Sequence, residues 1–199
     1  MIGTFSEQLA KILVNKKHID KADFELYHYG LFIVLSELFL FSFCVFAGLL
    51  LKITSQSIVF FAAFLFVRRY AGGLHVKTEP KCLALTLTSL LISIVLIKVS
   101  LIYSNLLFVI AIQLVCSILL PVISPADTPQ KKLSDKERKV FKGITIAILI
   151  VFAVTNALLL YFRLSRYAVP VVYAVLLETI LVVLGKIFNG RLAETTDEQ

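Results

Sequence analysis

The chain has 199 residues, 59% of them hydrophobic and 17% charged, with a mean hydropathy of +0.91. Soluble globular chains are nearer half apolar and a quarter charged, so this composition excludes an ordinary water-soluble domain and points to lipid as the main solvent. The net charge of +7 is therefore read by its position along the chain, and no nucleic-acid partner is expected from it.

No polar stretch is long enough to fold alone, so a single membrane domain over residues 1–199 is expected. Residues 1–29 form its amphipathic cytoplasmic or interfacial segment, 30–187 a transmembrane helical bundle, and 188–199 a disordered cytoplasmic tail. No cleavable signal peptide is visible, because the first strongly apolar run begins near Gly30. Before it, Ile2, Phe5, Leu9, Ile12 and Leu13 recur at helical spacing beside Lys11, Lys16 and Lys17. That pattern suits a helix lying in the membrane interface, or equally one packed on the rest of the protein.

Six spans follow, which makes the expected fold an all-α integral membrane protein with an amphipathic N-terminal helix. Residues 30–51, 101–120, 143–162 and 168–185 are each close to the ~20 residues that cross a bilayer. Residues 53–67 open on the polar Thr54-Ser55-Gln56-Ser57, and 83–97 is short; either is a candidate re-entrant element covered by protein. In the 121–142 loop, Pro121, Pro125 and Pro129 are expected to stop the preceding helix, and Ser134-Asp135-Lys136-Glu137 reads as a capping box opening the next.

Six spans place sixteen Lys and Arg on one side, in the N-terminal segment, the 68–82 loop, the 121–142 loop and the tail. They leave four on the other: Lys52, Lys98, Arg163 and Arg166. By the positive-inside rule both termini and the two long loops of this multi-pass protein are expected to be cytoplasmic.

Glu37, Gln113, Asn156 and Glu178 lie inside apolar runs, where a charge costs on the order of 3 kcal/mol or more unless it faces protein or water. They could line a substrate path or make helix–helix hydrogen bonds. Of three cysteines, Cys44 and Cys116 sit in apolar runs as small hydrophobes, and Cys82 alone has polar neighbours.

The stretch that carries chemistry runs from Arg68 to Cys82. Gly72-Gly73 ends a helix and lets the backbone turn with positive φ; His75 follows at once. Pro80 suits the first position of a new helix, with Glu79 at its cap and Cys82 at the third position, where a helix start favours the charge of a thiolate. A nucleophilic cysteine needs a base that later protonates the leaving amine, and His75 is seven residues from Cys82, within reach across a compact turn. Histidine and cysteine at this spacing also occur in ordinary polar loops. One cysteine and one histidine leave a zinc ion short of ligands, so neither a metal nor another cofactor is expected. Arg68, Arg69, Lys77 and Lys81 suit anionic lipid or an acidic peptide.

Arg69-Tyr70-Ala71-Gly72-Gly73-Leu74-His75, followed by six residues and Cys82, closely resembles the accessory gene regulator B family of bacterial membrane peptidases. The length, the amphipathic start, the multiple spans and the proline-marked basic loop fit the same layout. What the resemblance implies is a cysteine endopeptidase of quorum sensing, with His75 and Cys82 as its catalytic pair. Its substrate would be a small peptide precursor with an amphipathic leader and an acidic tail; the enzyme removes the tail and, in many members, helps close a thiolactone or lactone ring. For a third catalytic group, Glu79, Glu37 and Asp127 are candidates. The alternative is a small transporter or peptide-presenting sensor subunit that uses the intramembrane carboxylates. Besides the lipid bilayer, a second copy of the chain is a candidate partner.

Overall fold

The computed structural model describes residues 2–16, 20–73, 79–103, 106–125 and 134–197, with the backbone alone for 79, 80 and 188–197. All regular structure among these residues is helical: α1 (Ile2–Asn15), a 3-10 turn (Lys21–Asp23), α2 (Phe24–Leu50), α3 (Thr54–Ala71), α4 (Glu79–Tyr103), α5 (Leu106–Ile123), α6 (Asp135–Tyr161) and α7 (Ser165–Asp197). Five stretches are long and apolar enough to cross a membrane: Lys21–Leu50, Lys81–Tyr103, Leu106–Ile123, Asp135–Tyr161 and Ser165–Ile187. Large apolar side chains such as Leu38, Phe46, Ile118 and Val151 point outward from them. Water would penalise such a surface and lipid does not. The chain is an all-α, multi-pass membrane protein.

The sixth helix, α3, is not apolar enough to be counted with those five. Its start is polar and its last turn carries Arg68 and Arg69. Instead it is sheathed by protein, as expected for an element of that composition: Gln56, Ser57, Phe60, Phe64 and Val67 are all buried. Its most extensive partner is α7, and it also packs on α2 and α6. In α7, 78% of the most apolar window is buried, against 22% or less in the other four spans. The α3–α7 pair is thus the axis of the bundle, and α2, α4, α5 and α6 shield it from lipid. Helix α1 packs on α2 through Ser6 and Ala10 while Phe5 and Ile12 stay exposed, so its apolar stripe is only partly used inside the protein.

Two turns are built alike. After α2, Lys52 adopts φ 57, Ile53 N–H donates to Gly48 C=O at 2.8 Å, and Lys52 N–H donates to Leu49 C=O at 3.1 Å. After α6, Arg163 adopts φ 57, with Leu164 N–H donating to Leu159 C=O at 2.7 Å and Arg163 N–H to Leu160 C=O at 3.0 Å. Both are Schellman endings, with a cationic residue in the left-handed position that glycine usually takes. In the first, the chain reverses so sharply that a Cβ on Gly48 would lie 2.6 Å from Ser57 Oγ.

Several boundaries differ from the sequence expectation. Helix α4 is not short: it has 25 residues, because its polar letters do not interrupt it. Thr86, Thr88, Ser89 and Ser93 donate to carbonyls one turn back, at 2.8–2.9 Å, and so cost the helix nothing in unmet hydrogen bonds. Helix α2 begins at Phe24, ahead of residue 30. Pro121 does not stop α5; it sits in the last turn, which Ser124 N–H closes by donating to Leu120 C=O at 2.8 Å. The tail expected to be disordered from 188 continues α7 to Asp197, since Arg191, Leu192, Ala193 and Glu194 are good helix formers. The expected cap of α6 is present: Glu137 N–H donates to Ser134 Oγ at 3.3 Å, and Ser134 N–H to Glu137 Oε2 at 2.9 Å.

Candidate functional site

Helix α3 ends where the sequence doubles glycine. Gly72 has φ 83 and ψ −148, a conformation closed to residues with a side chain, and its N–H donates to Arg68 C=O at 3.2 Å. Tyr70, one residue before Ala71, meets Phe141 of α6 edge-on at 6.1 Å and ties this corner to the capped start of α6.

Two arginines, Arg68 and Arg69, stand in the last turn of α3. Each finds one of the intramembrane carboxylates. Arg69 Nη2 lies 3.6 Å from Glu37 Oε1 of α2, in a pair that keeps partial contact with solvent or lipid. Arg68 Nη1 lies 3.7 Å from Glu178 Oε2 of α7, whose side chain has no exposure at all. The Arg68 guanidinium also stacks over Phe64, 5.4 Å from the ring centre. The end of a helix favours cations, so both arginines suit their place. Sequence reading had named all four residues without pairing them. The available signal was two adjacent cations at one helix end, facing different neighbours, in a chain with two intramembrane glutamates.

Gln113 and Asn156 pair with each other. Asn156 Nδ2 of α6 donates to Gln113 Oε1 of α5 at 3.1 Å, and Gln113 Nε2 donates to Ser117 Oγ at 2.8 Å. For these two the helix–helix reading holds.

Helix α4 opens at Glu79, so Glu79 is its first residue and not its cap. Cys82 falls in the first turn, half-buried, and its carbonyl accepts from Thr86 Oγ1 at 2.9 Å. Cys44 and Cys116 are buried in the core, as their apolar settings implied. His75, the other half of the expected pair, and Asp127 lie outside the described residues, as does His18. His28 stacks on Phe24 at 5.9 Å, in α2 beside α1. Among the described residues no three of His, Cys, Asp and Glu come together to hold a metal ion.

A family model described as accessory gene regulator B matches residues 6–182. Comparisons with curated proteins and with solved structures give no match.

Proposed function

The chain belongs to the accessory gene regulator B family and so to quorum-sensing peptide processing, and we propose that it acts as a cysteine endopeptidase with Cys82 as nucleophile and His75 as its base. One observation carries the reading. Of three cysteines, two are buried among apolar side chains and one stands half-buried on the first turn of a helix, just beyond the Gly72–Gly73 break. A nucleophile needs that combination of access and a fixed backbone.

The substrate is a small precursor with an amphipathic leader, a central signal segment and an acidic tail. The basic side of the protein suits that tail: Lys21, Lys81, Lys136, Arg138 and Lys139 lie at or near helix starts on one side, while Lys52 and Arg163 occupy the opposite turns. The same bias supports cytoplasmic termini and a cytoplasmic loop.

The Cys82 thiolate attacks the carbonyl carbon at the end of the signal segment, forming a C–S bond. First-turn N–H groups of α4, which lack intrahelical partners, stabilise the oxyanion. His75, holding the thiol proton, gives it to the nitrogen of the tail as the C–N bond breaks. The signal segment remains as a thioester on Cys82. A cysteine or serine of the precursor then displaces Cys82 and closes a ring, regenerating the thiol; thioester exchange is nearly isoenergetic, so positioning decides the outcome. Water attacking instead gives a linear product.

The rival transport reading needs a polar path through the spans. Two of the residues that would form it, Gln113 and Asn156, are hydrogen-bonded to each other, and the two glutamates each lie beside an arginine at the end of α3. The test is tail release in liposomes by wild type, Cys82→Ala and His75→Ala, followed by mass spectrometry. Wild type is expected to cut and both variants to fail, with a product one water lighter than the linear peptide if a ring closes. Cutting by Cys82→Ala at the wild-type rate would remove the nucleophile from the proposal.

A further inference from the structure

Glu178 is a costly residue for the fold to hold, and packing alone does not explain it. It lies well inside the crossing stretch Ser165–Ile187, fully buried. Its ion-pair partner, Arg68 Nη1, is 3.7 Å away, too far for a hydrogen bond. Among the described residues neither Glu178 oxygen nor Arg68 Nη1 has a hydrogen-bond partner. The C-terminal end of α3 favours the arginine there and disfavours a carboxylate. Apolar side chains of similar volume would hold α3 to α7 at least as well. Buried polar groups left open in this way ask for a role beyond packing.

The third neighbour of the pair supplies one. A Cβ on Gly73 would lie 3.0 Å from Arg68 Nη1 and 3.5 Å from Glu178 Oε1. Gly73 therefore stands beside the two charged groups: an added Cβ would be in ordinary contact with Glu178 and would need the far end of Arg68 to shift by a few tenths of an ångström. From that corner the chain leaves for the half-buried Cys82. Glu37 and Arg69, by contrast, form a pair that is open to its surroundings and belongs to the other flank of α3.

We propose that Glu178 is a positioning residue of the peptidase site, which acts through Arg68 to seat the Gly72–Gly73 corner from which the reactive segment departs. The inference rests on the peptidase reading. Glu178 touches neither the substrate nor the nucleophile; it holds Arg68, and through Arg68 the Gly72–Gly73 corner, in place. Its loss shifts reacting groups relative to one another and leaves the recognition of the precursor's leader and tail in place.

The experiment is a double-mutant cycle on tail release in liposomes. Glu178→Gln keeps the size and removes the charge; kcat is expected to fall about 100-fold, the scale of a misplacement near 1 Å, with KM unchanged to within about threefold. Arg68→Gln and the double variant are expected to lose the same factor, because two groups that act as one are not additive. A side chain that only stabilises the fold would lower the active fraction and the melting temperature, and kcat counted per folded molecule would return to the wild-type value. If Glu178→Gln does not fold, the Arg68→Gln/Glu178→Gln variant, which leaves no unpaired buried charge, carries the test. Wild-type kcat in either variant, or losses that multiply across the cycle, overturns the proposal while the peptidase reading stands. No tail release by wild type overturns the peptidase reading, and this one with it.

Discussion

The α2–α3 hairpin offers a sharp test of how the site is held. Gly48 ends α2 against the start of α3: a Cβ placed on it would lie 2.6 Å from Ser57 Oγ, 2.8 Å from Ser57 Cβ and 3.0 Å from Thr54 Cα. Ordinary carbon contacts are near 3.5–4.0 Å, so Gly48→Ala demands close to an ångström of separation. Rotating Ser57 does not relieve it, because its Cβ and the Thr54 backbone are also close. Nor does the turn yield easily, since Ile53 N–H is bonded back to the carbonyl of Gly48 itself. Overpacking of this kind costs about 1–3 kcal/mol, and the involvement of backbone places Gly48→Ala near ~2 kcal/mol. Thermal or detergent unfolding in micelles measures it. Ser57→Gly removes two of the three close atoms; alone it costs about 1 kcal/mol as a helix glycine. In the Gly48→Ala background it should raise stability instead. A Gly48→Ala protein that melts with wild type, or a Ser57→Gly change that destabilises both backgrounds equally, would refute the close-packed hairpin.

Two further outcomes follow from the packing. A water-soluble maleimide should label one thiol per native chain and three after denaturation, and Cys82→Ala should abolish the native label; native labelling of Cys44, which is 0% exposed, or Cys116, at 4%, would contradict the core. Asn156→Leu breaks the hydrogen bond to Gln113 and should destabilise the protein to detergent by about 1 kcal/mol, as interhelical hydrogen bonds in membranes generally do. Adding Gln113→Leu should recover part of that, since the glutamine is then no longer left without its partner; a further loss of equal size would mean the two are not coupled.

Much of the architecture was legible because lipid imposes simple rules. Long apolar runs with charged ends had to be helices, and the polar start of α3 marked it as the element that protein must cover. Where reading failed, a local bond had answered a local letter. The hydroxyls of α4 looked like interruptions and are satisfied within their own helix. Pro121 looked like a stop and occupies a turn that was ending anyway. The candidate site could be named in its letters and not in its support. Gly72, Gly73 and Cys82 could be named from their order along the chain. The meeting of Arg68 with Glu178 joins residues more than a hundred positions apart, and depends on which face of α7 turns towards α3.

The two Schellman endings leave little chain to spare at two turns on the face opposite the Gly72–Gly73 corner. Between α2 and α3, and again between α6 and α7, three residues make each reversal, two of them at Lys52 and Arg163 with backbone already committed to an uncommon conformation. A protease working from that side finds no extended segment to thread into its cleft at either hairpin, and an antibody finds little relief to grip. Epitope tags or insertions meant to report on the protein from that face would have to break a turn to enter it, whereas the connection from Ile123 to Asp135 on the other face spans more residues.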